Sequence, residues 1–409
     1  MINMKYTWPA FLSVLLLTAL IWAEPLSGGA RAPSVILMLM GIVLIAKKFF
    51  LLTDLRWQRM LVILALFWLP TAISLFGSYA PDKTLDLLVL LPLFLLFSAS
   101  VLYIFDHYLS QNTLQIIITA ICVFWLADAT IQFFFDKDIF GVERYEGNRI
   151  VGPFAEHLRL GLFISILLPV VLAYLERHGW GWQVLYLLVA TTIVLLTGVR
   201  TDLLTVILAV GLYIISNRKY RLLLAVLPVI VFAGILAGSN SDISESKLKS
   251  FSNVPSNYEQ WNKLSSYRLD IWSTGWNMLK LNPVTGVGGR SFSSAYNDYS
   301  SEGNIFHDEA SSAYHAHHPV ISIAAETGGL GLLGLCAIII LLWRWGRHST
   351  NVRGLSNPWA QILLLMIFPI QSMPILFTLW WFPVVTFILA CYLHSIHTHV
   401  NYQHTDNRL

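Results

Sequence analysis

Apolar residues in this chain come mostly in long unbroken runs, not in the three-and-four spacing of a helix with one wet face. Such runs occupy 8–23, 33–50, 59–77, 86–105, 113–135, 159–175, 182–198, 201–216, 221–238, 319–343, 359–374 and 377–394. A helix needs about 20 residues to cross the roughly 30 Å hydrocarbon layer, where lipid offers no partner to an unpaired backbone group. Residues 182–216 are apolar throughout except at Thr197-Gly-Val-Arg-Thr-Asp202. At about 1.5 Å per residue that stretch is too long for one crossing and predicts two, joined by a tight turn. The first run has no small-residue cleavage site and reads as a retained span, not a signal peptide. Twelve spans are predicted, the last two with a boundary blurred by Pro374 and Pro383.

Two long polar segments break the pattern, 134–159 and 239–318. Within the second, residues 256–281 predict one amphipathic helix, stopped by Asn282-Pro283. Trp261, Leu264, Arg268, Ile271, Trp272 and Leu279 recur there at helical spacing and share a face. The chain therefore divides into 1–238 (spans one to nine), 239–318 (an outer loop domain) and 319–409 (spans ten to twelve and a tail). The fold class expected is an all-α integral membrane protein.

Composition agrees. Of 409 residues, 56% are hydrophobic and 12% charged, against about 25% charged in a soluble domain. So little charge cannot coat a water-soluble surface, which excludes a cytosolic enzyme, a disordered chain and a secreted disulfide scaffold. Cys122, Cys336 and Cys391 all lie within apolar runs and imply no disulfide framework. A net charge of +3 argues for no nucleic-acid partner. Position matters more than sum. With the N-terminus inside, 13 of the 26 Lys and Arg fall in cytoplasmic segments, and only Arg31, Lys83 and Arg200 fall in short outer loops. That bias predicts cytoplasmic termini and puts both long segments outside.

Three features stand out as candidate chemistry. Arg200 lies in the turn between two spans, where an arginine at membrane depth costs roughly 2.5–3.5 kcal/mol and so faces a cavity or a partner. Snorkelling to water, or pairing with Asp202, is the simpler reading. Arg268 lies in the aromatic stripe, either as an interfacial anchor or as a planar fork suited to phosphate oxygens. His315-Ala-His317-His318 precedes span ten and offers an imidazole whose ordinary pKa near 6.5 suits a general base. A polar interfacial loop is its bland alternative. Zinc is the rival, with His307 and Asp308 nearby, but no second spaced ligand pair and no loop cysteine accompany the histidines. Asp136-Lys-Asp138 has the DxD form of a divalent-cation holder, a pattern common by chance. Asp128, deep in span five, reads as a structural hydrogen bonder.

These pieces occur in a particular order: Thr-Gly-Val-Arg200-Thr; Tyr267-Arg268-Leu-Asp-Ile-Trp272; Asn282-Pro-Val-Thr-Gly-Val-Gly288; His315-Ala-His317-His318; Ala-Ala-Glu326-Thr-Gly. The arrangement resembles the O-antigen ligase and polymerase superfamily over roughly 140–335, including Arg149-Ile-Val-Gly-Pro-Phe154. Two positions depart from its pattern: Val199 stands for the usual serine and His318 for the usual asparagine.

The resemblance implies a glycosyltransferase of GT-C-like fold, in the inner membrane of a Gram-negative bacterium with its site facing the periplasm. No cofactor and no metal are implied. His317 would be the general base and Arg200 and Arg268 would hold a diphosphate, while Arg149, His315, His318 and Glu326 would contact substrate. The expected partners are undecaprenyl-diphosphate-linked O-antigen as donor, lipid A–core as acceptor and the bilayer, with the protein a monomer. The single loop of about 80 residues before span ten looks most like the ligases that act on lipid A–core. A protein-glycosylating ligase would be expected to carry an extra C-terminal portion, and a polymerase shares the same residues. A twelve-span anion or lipid transporter is the alternative of a different class, although no internal repeat is visible.

Overall fold

The computed structural model describes residues 8–22, 31–47, 53–146, 148–155, 157–222, 256–307, 315–349, 354–370 and 381–397. Within these the chain is helical, with no strands and only two isolated bridges, Lys137 to Glu143 and Tyr145 to Arg149. The helices are α1 (Trp8–Trp22), α2 (Arg31–Ala46), α3 (Leu55–Ser74), α4 (Pro81–His107), α5 (Gln111–Phe135), α6 (Leu160–Leu175), α7 (Trp180–Leu196) and α8 (Arg200–Asn217). After them come α9 (Tyr258–Leu264), α10 (Arg268–Leu281), α11 (Phe292–Tyr299), α12 (Pro319–Arg347), α13 (Pro358–Ile367) and α14 (Phe382–Ser395).

Six of the described helices are long and apolar enough to cross a membrane: α3, α4, α5, α6, α8 and α12. Five shorter apolar helices, α1, α2, α7, α13 and α14, coincide with five more of the twelve expected spans. The twelfth, 221–238, lies outside the described residues. The chain is a multi-pass, all-helical membrane protein, and its helix ends follow local chemistry. Asp54 accepts from the N–H groups of Arg56 and Trp57 at the start of α3. Ser110 caps α5 and Asn357 caps α13, and proline occupies the first turn of α4, α12 and α13, where its missing N–H costs nothing.

The two ends of the bundle are built differently. At one end Arg56 is buried and donates to both oxygens of Asp106, at 2.6 and 2.7 Å, and to Asp54. Its Nη1 also lies 3.1 Å from Nδ1 of His394. This ties the start of α3 to the last turns of α4 and α14. A buried guanidinium is tolerable there because every charge is paired and hydrogen-bonded.

At the other end a small second core forms from Ile271, Met278, Val287, Phe292, Ala295, Tyr296, Ala316 and Ala325. It joins α10 and α11 to the start of α12. The expected single amphipathic helix over 256–281 is instead two. Ser266 and Tyr267 are left-handed, at φ 58° and 61°. The reversal is closed by Tyr267 N–H on the carbonyl of Asn262 at 2.6 Å, and buried Asn262 then accepts from the Asp270 N–H at 3.3 Å, near the start of α10. A polar side chain that satisfies a fresh helix start competes with continuation of the old one. Trp261 and Leu264 therefore belong to a different helix from Ile271 and Trp272, and Arg268 opens the second helix.

Span ten is also interrupted. α12 kinks at Gly328 (φ 63°, ψ −156°), and loop 283–288 packs into the break. Val287 N–H donates to the carbonyl of Ala325 at 2.9 Å, Gly288 N–H to that of Glu326 at 3.0 Å, and Gly329 N–H back to that of Pro283 at 2.8 Å. Glycine is required on both sides. A Cβ on Gly286 (φ 67°) would lie 2.5 Å from the Glu326 carbonyl carbon, and one on Gly328 would overlap the Val284 carbonyl. We expect Gly286→Ala to lower stability by at least about 1–2 kcal/mol, the cost of left-handed backbone for an L side chain, before any steric overlap. Gly303→Ala, with nothing within 4 Å of its added methyl, is the control. Thermal unfolding of both variants in detergent checks this, and equal midpoints would contradict it.

Candidate functional site

The turn before α8 is set by Thr197, whose hydroxyl donates to the Val194 carbonyl at 2.7 Å, and by Gly198 at φ 71°. Arg200 is the first residue of α8 and is exposed. Its Nη1 donates to the carbonyl of Leu264, the last residue of α9, at 3.2 Å. Asp202 follows in the first turn, where the helix dipole favours an anion, and is buried at 1% exposure. Gly161 of α6 leaves room for this carboxylate; a Cβ there would sit 2.6 Å from Asp202 Oδ2.

Three residues past Leu264 the chain reverses and Arg268 begins α10. Burial pulls its guanidinium below the ordinary arginine range, and the negative charge of Asp202 pulls it back. An arginine stays protonated under both influences. Asp202 was foreseen only as a partner for Arg200, yet its charge also bears on Arg268. The available signal was its place two residues after Arg200, in the first turn of a helix.

The histidine loop meets α10 from the other side. The rings of His315 and His317 lie 4.0 Å apart, centroid to centroid. Burial pushes His315 down to about 3, and the neighbouring His317 and Arg268 push the same way. Its Nε2 is buried without a hydrogen-bond partner. His318 caps α12, its Nδ1 accepting from the Ile321 N–H at 3.3 Å, and burial lowers its pKa as well. His317 itself has left-handed backbone, φ 49°. Trp272 spans the gap, its indole N–H donating to the Ala316 carbonyl at 2.9 Å.

Arg268, His315 and His317 thus come together, with Arg200 tied to the same region through Leu264. Arg149 lies close in the chain path: its backbone bridges Tyr145, and the N–H of the next residue, Ile150, donates to the Leu196 carbonyl at 3.2 Å, just before the Arg200 turn.

Glu326, expected as a substrate contact, holds backbone of the neighbouring loop. It is 4% exposed, and its carboxylate accepts from the backbone N–H groups of Arg290 at 3.1 Å and Phe292 at 3.2 Å. Both oxygens hold loop 283–292 onto α12. Asp138 is likewise absorbed, one oxygen accepting from the Phe140 and Val142 N–H groups, while Asp136 pairs with Arg144 at 2.9 Å. Asp128 accepts from the Ile139 N–H at 2.9 Å and so acts as the structural hydrogen bonder expected. Among the described residues no three His, Cys, Asp or Glu side chains group as a metal would require. His307 lies 2.6 Å from the Ser300 hydroxyl, and Asp308 is outside the described residues.

At this end the bundle gathers two arginines and a histidine loop, side chains of the kinds that can hold an anion and accept a proton. Residues 185–336 match the model of the family described as O-antigen ligase. The match runs from α7 through the kink of α12. No curated protein matches the chain.

One pH dependence follows from His315. Its folded-state pKa lies near 3 and its ordinary value is 6.5. As pH falls below about 6.5 the unfolded chain takes up a proton that the folded chain refuses until about 3, so stability drops across that window. We expect His315→Gln, which cannot titrate, to have a shallower fall in unfolding midpoint between pH 7 and 4 than the parent protein. Parallel profiles would count against a buried neutral His315.

Proposed function

We propose that this protein transfers O-antigen glycan from undecaprenyl diphosphate to lipid A–core on the periplasmic face of the Gram-negative inner membrane. Arg200 and Arg268 bind the diphosphate, and His317 takes the proton from the acceptor hydroxyl. As that proton leaves, the acceptor oxygen bonds to the anomeric carbon and the bond to the diphosphate breaks. The bonding pair goes to the departing phosphate oxygen, and the protonated imidazole gives up its proton afterwards. One displacement without a covalent enzyme intermediate inverts the anomeric centre.

The observation that carries this reading is how the three neighbouring histidines are occupied. His315 is held near pKa 3, too weak a base to retain a proton near neutral pH. His318 has its Nδ1 committed to the start of α12. His317 lies against the His315 ring, and the charge of Arg268 reaches the same pair. Charge on the leaving diphosphate grows as the glycosidic bond breaks, and two fixed guanidinium groups stabilise it. Arg149 is assigned to the substrate pocket as a further phosphate or sugar contact. The match to the O-antigen ligase family over 185–336 supports the donor class. The large segment before α12 favours lipid A–core as acceptor.

Reconstitution with a lipid-diphosphate glycan and purified acceptors tests the proposal. Product on lipid A–core is expected, whereas a lengthened lipid-linked chain would make the protein a polymerase. His317→Ala should lower transfer by roughly the 10²–10⁴-fold that a proton-transfer group contributes. Arg268→Lys keeps the charge but loses the fork, and a loss of at least about tenfold is expected, as for a lost charge-assisted hydrogen bond. A wild-type rate in either variant would remove that residue from the mechanism. Activity should persist in EDTA; loss restored by a divalent ion would overturn the arginine assignment.

A further inference from the structure

Trp272 lies one helical turn beyond Arg268 on α10 and reaches the histidine loop with two contacts. Its indole Nε1 donates to the Ala316 carbonyl at 2.9 Å. Its ring meets the His318 ring edge-on, at 5.3 Å between centroids and 82° between planes. Ala316 is fully buried within the small core that also holds Ile271, Val287 and Ala325. A buried carbonyl needs a donor, and for Ala316 that donor comes from Trp272.

The carbonyl concerned belongs to the peptide plane between Ala316 and His317. Fixing its direction fixes the plane from which the His317 φ angle is measured. That angle is 49°, a left-handed value unfavourable for an L residue, so it needs outside support to persist. The contact with His318 holds the residue on the other side. One indole therefore grips the chain immediately before and immediately after His317. Because Trp272 and Arg268 share a rigid turn of helix, the same grip sets the spacing between the histidine and that guanidinium.

We propose that Trp272 is a positioning residue, whose indole N–H orients the Ala316–His317 peptide plane and thereby holds the His317 ring in register with Arg268. The proposal rests on the reading of His317 as the base and deepens it. In an in-line displacement the base serves the incoming oxygen and the arginines serve the outgoing diphosphate. Their spacing is therefore a catalytic quantity, and a 1 Å error in it can cost on the order of 100-fold in rate. Donor affinity, which depends on the arginines, is not expected to change with it.

The test is replacement of Trp272 by benzothienylalanine, which keeps the ring shape and puts sulfur where the N–H was. We expect kcat for glycan transfer to fall by about 10- to 100-fold, with KM for the lipid-linked donor within about twofold. Trp272→Phe, which keeps an aromatic edge for His318 but has no N–H, should reproduce the split. A purely packing role predicts wild-type kinetics for the analogue, and that result would overturn the proposal.

A second measurement needs no activity. Acylation of His317 by diethyl pyrocarbonate, read by mass spectrometry against exposed His178, should change several-fold in the analogue. If the parent protein transfers no glycan to any acceptor, the functional reading fails and this reactivity ratio alone decides the role of Trp272. An unchanged ratio would sink it.

Discussion

The arrangement at the functional end depends on the union between loop 283–292 and the broken helix α12. A helix that kinks inside an apolar bundle leaves backbone groups without partners, and lipid cannot supply any. Here the loop supplies them. Carbonyls of Ala325 and Glu326 are taken up by Val287 and Gly288, and the N–H of Gly329 finds Pro283. The carboxylate of Glu326 then turns outward along the same loop to hold Arg290 and Phe292. The kink and the loop are two halves of one hydrogen-bonded unit. Because α10 enters the loop and the histidine segment leads into α12, this unit decides where Arg268 and His317 can be.

The two ends of the bundle surround an arginine differently. At the opposite end Arg56 is surrounded by Asp54 and Asp106, and the group is closed to any further anion. Around Arg268 the setting is another. Burial weakens the guanidinium's hold on its proton and one carboxylate, Asp202, opposes that.

The helical class, the positions of eleven described apolar helices and the candidacy of Arg200, Arg268 and the histidines were legible in the sequence, because each rests on a local pattern. Apolar run length identifies a span without knowledge of its neighbours, and an arginine stands out wherever charge is scarce. What escaped reading depends on partners far along the chain. Glu326 stands out as an acid in an apolar helix, but its hold on the Arg290 and Phe292 backbone is a contact between distant segments. The break at Ser266-Tyr267 was hidden because helical spacing runs on through it. Asn262 makes the break stable by binding Asp270, a contact that periodicity cannot register. Trp272 is visible on the stripe and in the motif around Arg268, but the bond from its N–H to the Ala316 carbonyl is not.

Helix α3 links the two ends in a way that has a metric meaning. At its start Arg56 is fastened to α4 and α14, and at its last residue the Ser74 hydroxyl accepts from the Gly289 N–H at 3.3 Å. Between these fixtures run the 20 residues Leu55–Ser74, about 30 Å of helix at 1.5 Å per residue, which is the thickness of the hydrocarbon layer. A rod of that length, anchored at both ends, works as a depth gauge. It sets the height of Gly289 and the loop around it above the far side of the bilayer. The number of residues in one helix thus specifies how far that loop stands from the Arg56 cluster.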